Sequence, residues 1–448
     1  MDKQSAREPV VITGTGVVAP NGIGVTAFWS NCCAGVSGVK RITTFDVSAF
    51  DAQIAGVVSD FDPAASGISA IDAQRFDRYV LFALAAAQEA VTASNLFAAA
   101  IDHTRVGVCI ATAIAGTKYM EEEFLRLTAQ ATQPINPELA SRNLYSGASF
   151  HVAGVEVARR FNAQGPLQTL ATGCTAGLDA IGHALEMIRS GQADVVIAGA
   201  SEAPLTPIAL AAFDIIGALS SRCNAQPAQA SRPYDKTRSG FVLGEGCGIF
   251  VLESKRHALK RGATILAEIN GFGSSCNAYH MTDLAPDGND LHRAMQLSLA
   301  DAGIDAAQID HVNAHGSSTP QNDVNETNAV KKTLGQHAYQ IPVCSLKSIV
   351  GHALAAANAI ELVAAVQSLR TQQVSPTLNY QMPDPDCDLD YVAGHSRTAN
   401  IAYLLKDASG FSGIHSALIL ARSSSPTAQA SQASSQTSSQ KTRTRTTP

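Results

Sequence analysis

Cys174 stands just after a strand-like run, Leu167-Gln-Thr-Leu-Ala-Thr172, and opens a helical stretch, Thr175–Ser190. Leu178, Ile181, Leu185 and Ile188 recur at helical spacing along one face of that stretch. The cysteine is therefore expected at a strand-to-helix turn, at the positive end of a helix macrodipole, where thiolate is favoured over thiol. Gly173, Ala176 and Gly177 leave room for a substrate carbonyl beside the sulfur. Position alone serves a buried structural cysteine equally well. The second half of the chain adds partners. Asp310-His-Val-Asn-Ala-His315 reads as a strand ending in His315-Gly316, with the hydroxyls of Ser317 and Thr319 just beyond. Ser345-Leu-Lys-Ser-Ile-Val-Gly-His352 is another strand end, placing Lys347 and His352 before an Ala-rich helix whose few acids include Glu361. One histidine at a strand end is ordinary. A cysteine, two histidines and a lysine, all at strand ends beside helix N-termini, suit nucleophilic catalysis with donors at hand.

Other motifs fall away on physical grounds. Gly14-Thr-Gly-Val-Val-Ala19 follows a strand and matches a dinucleotide fingerprint, which needs a helix starting at its glycines. Pro20-Asn-Gly22 interrupts that helix, so a strand-to-loop turn is expected instead. Gly199-Ala-Ser-Glu-Ala203 lacks the closing glycine of a hydrolase elbow and reads as a strand end. Cys32-Cys33 cannot readily aim two thiolates at one metal, and no metal site is expected.

The elements that must hold these residues alternate. Strand-like runs lie at Val10–Thr13, Val106–Ala111, Leu167–Thr172, Ala193–Ala198 and Gly248–Leu252. A second set follows at Ile265–Ile269, Ile309–Asn313, Val343–Ser345, Asn400–Leu405 and Ala417–Ala421. Helical stretches separate them at Asp77–Ser94, Thr175–Ser190, Asp290–Ala302 and Ala353–Gln373. This is α/β layering. A strand, a long helix and a strand surround Cys174 and again surround Lys347, which suggests a duplicated α/β unit with its break near Lys255–Ala263. The expected organisation is an N-terminal half over 1–259, a C-terminal half over 260–422 and a disordered tail over 423–448, poor in large apolar residues. Residues 112–165 read as an insertion, a cap or interface element.

Composition supports a large enclosed interior. The chain has 448 residues, beyond one ordinary core, with 46% hydrophobic and 16% charged residues. Its net charge of −6 does not favour a polyanion such as DNA. Nine cysteines without a CxxC pair fit a reducing cytosol better than a disulfide scaffold. No signal-peptide pattern opens the chain, and no apolar run reaches the ~18 residues of a membrane span, so a cytoplasmic protein with no membrane association is expected.

Taken jointly, the motifs resemble those of the β-ketoacyl synthases of the thiolase superfamily, over about 410 residues. They are Thr172-Gly-Cys-Thr-Ala-Gly177, Ser231-Arg-Pro-Tyr-Asp235, Gly240-Phe-Val-Leu-Gly-Glu-Gly246, Asn313-Ala-His-Gly316 and Lys347-Ser-Ile-Val-Gly-His352. Gln321-Asn-Asp323, Ala278-Tyr-His-Met-Thr282 with Pro286-Asp-Gly288, and Ala212-Phe-Asp214 look most like ketosynthase α subunits of type II polyketide synthases. The resemblance implies the thiolase fold, duplicated βα units in a layered αβαβα arrangement. It implies decarboxylative Claisen condensation of an acyl chain with a malonyl unit, both carried on acyl carrier protein, with no cofactor of its own. In that reading Cys174 takes the acyl chain, and the backbone N–H groups of Cys174 and Phe411 form an oxyanion hole. His315 and His352 serve the decarboxylation, Lys347 lies near them, and Glu361 holds Lys347. Ser317 and Thr319 bind the phosphopantetheine arm, while Phe241 and Phe411 line its junction with the acyl pocket. The implied partner is a cysteine-less chain-length factor in a heterodimer. The rival reading, a synthase of fatty-acid elongation, implies a homodimer. A non-catalytic subunit like the chain-length factor itself would lack the cysteine. One departure stands out: the family's Gly-Phe-Gly-Gly loop is Gly410-Phe-Ser-Gly413 here, and serine takes glycine's backbone angles only at a cost.

Overall fold

The structure, a computed structural model, describes residues 7–285 and 287–423. The expected disordered tail lies outside them apart from Ser423, as does Pro286. Core elements are numbered here in chain order. The first half runs β1 (Val10–Ala19), α1 (Arg78–Ser94), β2 (Val106–Ala111), α2 (Val152–Phe161), β3 (Leu167–Gln168), α3 (Ala176–Arg189), β4 (Val195–Glu202) and β5 (Gly246–Ser254). The second half repeats that order: β6 (Ala267–Cys276), α4 (Asn289–Ala302), β7 (His311–Asn313), α5 (Pro320–Leu334), β8 (Val343–Cys344), α6 (Ala355–Thr371), β9 (Tyr403–Gly410) and β10 (Ile414–Ala421).

The strands follow one hydrogen-bonded path, β8-β7-β9-β10-β6-β1-β5-β4-β2-β3. Read outward from its centre, each side has two antiparallel pairings and then two parallel ones. The two sides meet only through β1 and β6, over Val10↔Ile269, Val11↔Glu268 and Ile12↔Ala267. Helices α3 and α6 pack on each other between the two half-sheets. Outside them, α1 and α2 cover the first half-sheet, while α4 covers the second and α5 packs on α4. This is the αβαβα layering of the thiolase fold. Helix α6 is buried along almost its whole length, Ala355 to Leu369, which explains its mixed apolar face pattern. Among the described residues no helix is long and apolar enough to cross a membrane.

Three expectations need correction. Strand β1 does not stop at Gly14; it runs on to Ala19, with a bulge between Ile12 and Gly14. The glycines are there for closeness. A Cβ on Gly14 would lie 2.1 Å from the Ala90 carbonyl oxygen of α1, and one on Gly16 2.0 Å from that of Ala86. Gly16→Ala should therefore force helix from strand and destabilise the protein by about 1–3 kcal/mol, read as a lower denaturant midpoint. Second, the 112–165 segment is not all insertion, because α2 packs on α1 and β2 as part of the outer layer. Third, the strand expected over Leu167–Thr172 shrinks to two residues, since β3 lies at the end of the path with only β2 beside it. The other strands differ from expectation mainly by running past the β-branched segments that mark them in sequence.

Candidate active site

The parallel strands of both halves end on one cleft, and the loops leaving them bring the chemistry. Cys174 lies in a single 3-10 turn, Gly173–Thr175, between β3 and α3. Gly173 takes a φ of 61°, which turns the chain sharply enough to present the sulfur. Asp179 braces the turn, accepting hydrogen bonds from Thr172, Thr175 and, across the molecule, Ser416. Asn358 of α6 donates to the Cys174 carbonyl. The N–H groups of Phe411 and of Cys174 itself point at the sulfur. Phe411 sits in the tight turn between β9 and β10, whose start lies against Cys174: a Cβ on Gly410 would be 3.6 Å from the Cys174 nitrogen.

The second half supplies the rest. Lys347, buried, donates to a Glu361 carboxylate oxygen at 2.6 Å and to the His315 carbonyl at 2.7 Å. Its Nζ is also 3.4 Å from His315 Nδ1. His352 Nδ1 accepts from the Leu354 N–H at 3.1 Å. Because each Nδ1 faces a donor, each neutral ring carries its proton on Nε2. The rings stand 5.3 Å apart between centroids, edge to face. Burial, followed by the Lys347 cation, holds both histidines well below the ordinary imidazole range, so they are neutral at physiological pH.

The cysteine departs from expectation. Burial pushes its thiol up to about 11, against the pull of Lys347 and the two N–H groups. A helix N-terminus was expected to favour thiolate; removal from water outweighs it here. The resting site is thus a thiol beside two neutral imidazoles. Any nucleophilic attack by this sulfur must be accompanied by loss of its proton.

Cys174, His315, His352, Phe241, Ser317, Thr319 and Phe411 all line one cleft. Ser317 and Thr319 hydroxyls lie 2.9 Å apart at its wall. Phe241 packs edge-on against Phe213 and tilts against His352. The cleft therefore joins a hydroxyl-bearing wall to an aromatic one, which fits a polar arm carrying an apolar or mixed chain. Ser412 does occupy the left-handed region, φ 69° and ψ 8°. That costs a non-glycine residue about 1–2 kcal/mol. The turn is tied in compensation, with the Ser412 N–H donating to the Met281 carbonyl at 2.6 Å and the hydroxyl reaching Met281 Sδ at 3.3 Å.

Residues 7–258 match the family model described as "Beta-ketoacyl synthase, N-terminal domain", and 266–381 match "Beta-ketoacyl synthase, C-terminal domain". The chain is a β-ketoacyl synthase. It is 47% identical over 412 residues to a protein named putative polyketide beta-ketoacyl synthase 1 of Streptomyces cyaneus, covering 92% of this chain and 97% of that one. The 3-oxoacyl-[acyl-carrier-protein] synthase 2 of Coxiella burnetii is 43% identical over 413 residues, covering 92% and 98%. Among solved structures, it superposes on a type II polyketide ketosynthase, titled as in complex with its acyl carrier protein and bound to the hexaketide. The TM-score is 0.87 at 46% identity, with 93% of this chain and 100% of that chain covered. The ishigamide ketosynthase/chain length factor aligns with a TM-score of 0.86 at 32% identity, over 93% and 100%.

Sequence reasoning missed several residues that support this synthase's cleft. Glu202, the acid of the abandoned hydrolase-like motif, is fully buried and receives Thr112, Ala113 and Ile114. Burial raises its carboxyl to about 7. Glu326 and Asp407 both accept from the His315 N–H, at 2.6 and 2.7 Å. Burial raises both; the Asp407 charge raises Glu326 further, whereas a hydrogen bond from Glu326 pulls Asp407 back down, so the proton resides on Glu326. A sequence signal existed for Asp407: Lys406-Asp407 is a charged pair inside an otherwise apolar strand.

Proposed function

We propose that this β-ketoacyl synthase is the ketosynthase of a type II polyketide system, and that its two half-reactions use different residues. The observation that carries the reading is the convergence of Cys174 and two Nε2–H imidazoles on one cleft. Cys174 sulfur attacks the acyl thioester on acyl carrier protein; the new S–C bond forms as the phosphopantetheine S–C bond breaks and its thiol leaves with the proton. The N–H groups of Cys174 and Phe411 receive the oxyanion. Malonyl-carrier protein then loses CO2, and His315 and His352 donate through Nε2–H to the resulting enolate oxygen. The enolate carbon attacks the Cys174 thioester, and the sulfur leaves as a new C–C bond is complete. Lys347, held by Glu361, orients His315. Ser317 and Thr319 bind the pantetheine arm, and Phe241 and Phe411 shape the entrance to the acyl pocket. No cofactor is needed for these steps, and the cytosol is the natural setting. The halves 1–259 and 260–422 are the two units of the duplicated fold.

The acyl carrier protein delivers both substrates, and a chain-length factor completes the active assembly as a heterodimer. Two features support a partner on the β3 side. Strand β3 ends the path, with its outer edge unpaired among the described residues. Leu167 on β3 is an exposed large apolar residue, and Met120, Phe124, Ile135, Leu139 and Tyr145 of the segment between β2 and β3 are exposed too. The Coxiella burnetii relative keeps the fatty-acid alternative open to test, with an identical chain as partner. Co-expression with a chain-length factor should give a 1:1 complex whose product is a poly-β-keto chain by mass spectrometry, and the chain alone should be poorly soluble or weakly active. A stable homodimer that extends saturated acyl thioesters efficiently would replace the polyketide reading with the fatty-acid one.

A further inference from the structure

Glu361 holds more than Lys347. Its second oxygen lies 2.9 Å from Lys406 Nζ, an ion-pair contact not aligned as a hydrogen bond, so one carboxylate faces two lysines. All three side chains are buried, Lys406 and Glu361 completely. A buried lysine is costly, and a second cation on one carboxylate is costlier, unless the arrangement is satisfied on every side. Lys406 also donates to the Asp407 carbonyl, which fixes its head group. The next side chain along β9 points to the other face of the strand. There Asp407 takes the His315 N–H at 2.7 Å together with Glu326.

His315 is thus held at both backbone ends. Its N–H is gripped from the Asp407 side, and its carbonyl is gripped by Lys347, which Glu361 orients and Lys406 braces in turn. A freed Glu361 oxygen would let the carboxylate rotate, carrying Lys347 Nζ away from His315 Nδ1 and loosening the tautomer that directs Nε2–H into the cleft. The Lys406 cation also acts through space on Lys347, His315 and His352, each of which it disfavours as a cation. That keeps the imidazoles neutral while adding positive potential where an enolate would form. Among the described residues, neither Lys406 nor Asp407 hydrogen-bonds or ion-pairs with Cys174.

We propose that Lys406 and Asp407, neighbours on β9, are positioning residues for the malonyl decarboxylation step, Lys406 acting through Glu361 and Asp407 through the His315 backbone. The proposal rests on the roles given above to His315 and Lys347.

The test measures two half-reactions separately in Lys406→Met, Glu361→Gln and the double variant: decarboxylation of malonyl-carrier protein, and acylation of Cys174 by acyl-carrier protein. Lys406→Met should lower kcat for decarboxylation by about 10–100-fold, with KM within about 3-fold. Acylation should stay within about 3-fold of the parent, a split that general loosening of the fold would not produce. In the Glu361→Gln background, Lys406→Met should add less than about 2-fold, because the residue acts through that carboxylate. If the methionine variant misfolds, Lys406→Gln keeps an N–H donor near Glu361 while removing the charge, and the same split is expected of it. Equal losses in both half-reactions, or effects of residues 406 and 361 that simply multiply, would overturn the proposal. A parent enzyme that fails to decarboxylate malonyl-carrier protein at all would instead sink the condensing reading on which it rests.

Discussion

Cys174→Ala is expected to abolish condensation, by at least about 10⁴-fold, the scale on which removing a covalent nucleophile acts. The reason is chemical rather than structural. Alanine fits the turn, since Cys174 is held there by its backbone: its carbonyl accepts from Asn358, and its own N–H points at the sulfur. What disappears is the sulfur proposed to carry the acyl chain between two carrier-protein visits. Mass spectrometry after incubation with an acyl-carrier protein thioester should find one adduct, on the peptide containing Cys174, and none in the variant. The eight other cysteines make this a discriminating measurement. Cys32, Cys109, Cys247 and Cys344 are buried, and burial pushes their thiols well above the ordinary range. Cys276 is the exposed one and the natural site of adventitious acylation. An adduct that persists in Cys174→Ala at the parent's rate would overturn the assignment. The high thiol value of about 11 adds a kinetic expectation to the same experiment. Acylation should speed up as pH rises through the neutral range, because the thiolate fraction grows about tenfold per unit below the thiol's pKa.

The residues proposed to act on substrate were legible because their types are chemically singular and their positions follow from strand-helix alternation. Cys174, His315, Lys347 and His352 lie on three connections that follow strands and precede helices, and the fold brings Cys174, His315 and His352 to one cleft with Lys347 buried against His315. What stayed hidden is what depends on three-dimensional surroundings. The Cys174 thiol was expected low from its helix end and lies high, since burial cannot be read from neighbours in sequence. Gly14 and Gly16 look like a turn and are strand, because the helix that presses on them, α1, is more than sixty residues further along. Lys406 and Asp407 break an apolar strand pattern, which marks them as unusual; their partners Glu361 and Glu326 come from two different helices. Strand β3 is short for a different reason. It sits at the edge of the sheet, and among the described residues only β2 pairs with it.

His315→Ala should separate the two halves of the reaction. Malonyl decarboxylation is expected to fall about 10²–10³-fold, the scale of one lost donor to a developing oxyanion. Acylation of Cys174 should persist at a measurable rate, because the N–H groups of Cys174 and Phe411 come from the backbone and do not depend on the imidazole. The substitution leaves the His315 backbone contacts to Glu326, Asp407 and Lys347 available, so the fold around it should survive. Cys174→Gln provides the opposite test. An amide in place of the thiol resembles the acylated sulfur in size and polarity, so the site should treat itself as loaded and decarboxylate malonyl-carrier protein at or above the parent's rate. Measured side by side, the two variants should fail in complementary ways: one takes the acyl chain without forming the enolate, the other forms the enolate with nothing to attack. Loss of both half-reactions in both variants would mean that the cysteine and histidines act as one unit, and the division of labour would have to be abandoned. The neutral state of both rings makes the outcome directional. An imidazole already uncharged at pH 7 cannot gain from further deprotonation, so the parent's decarboxylation rate should stay flat with rising pH while its acylation rate climbs.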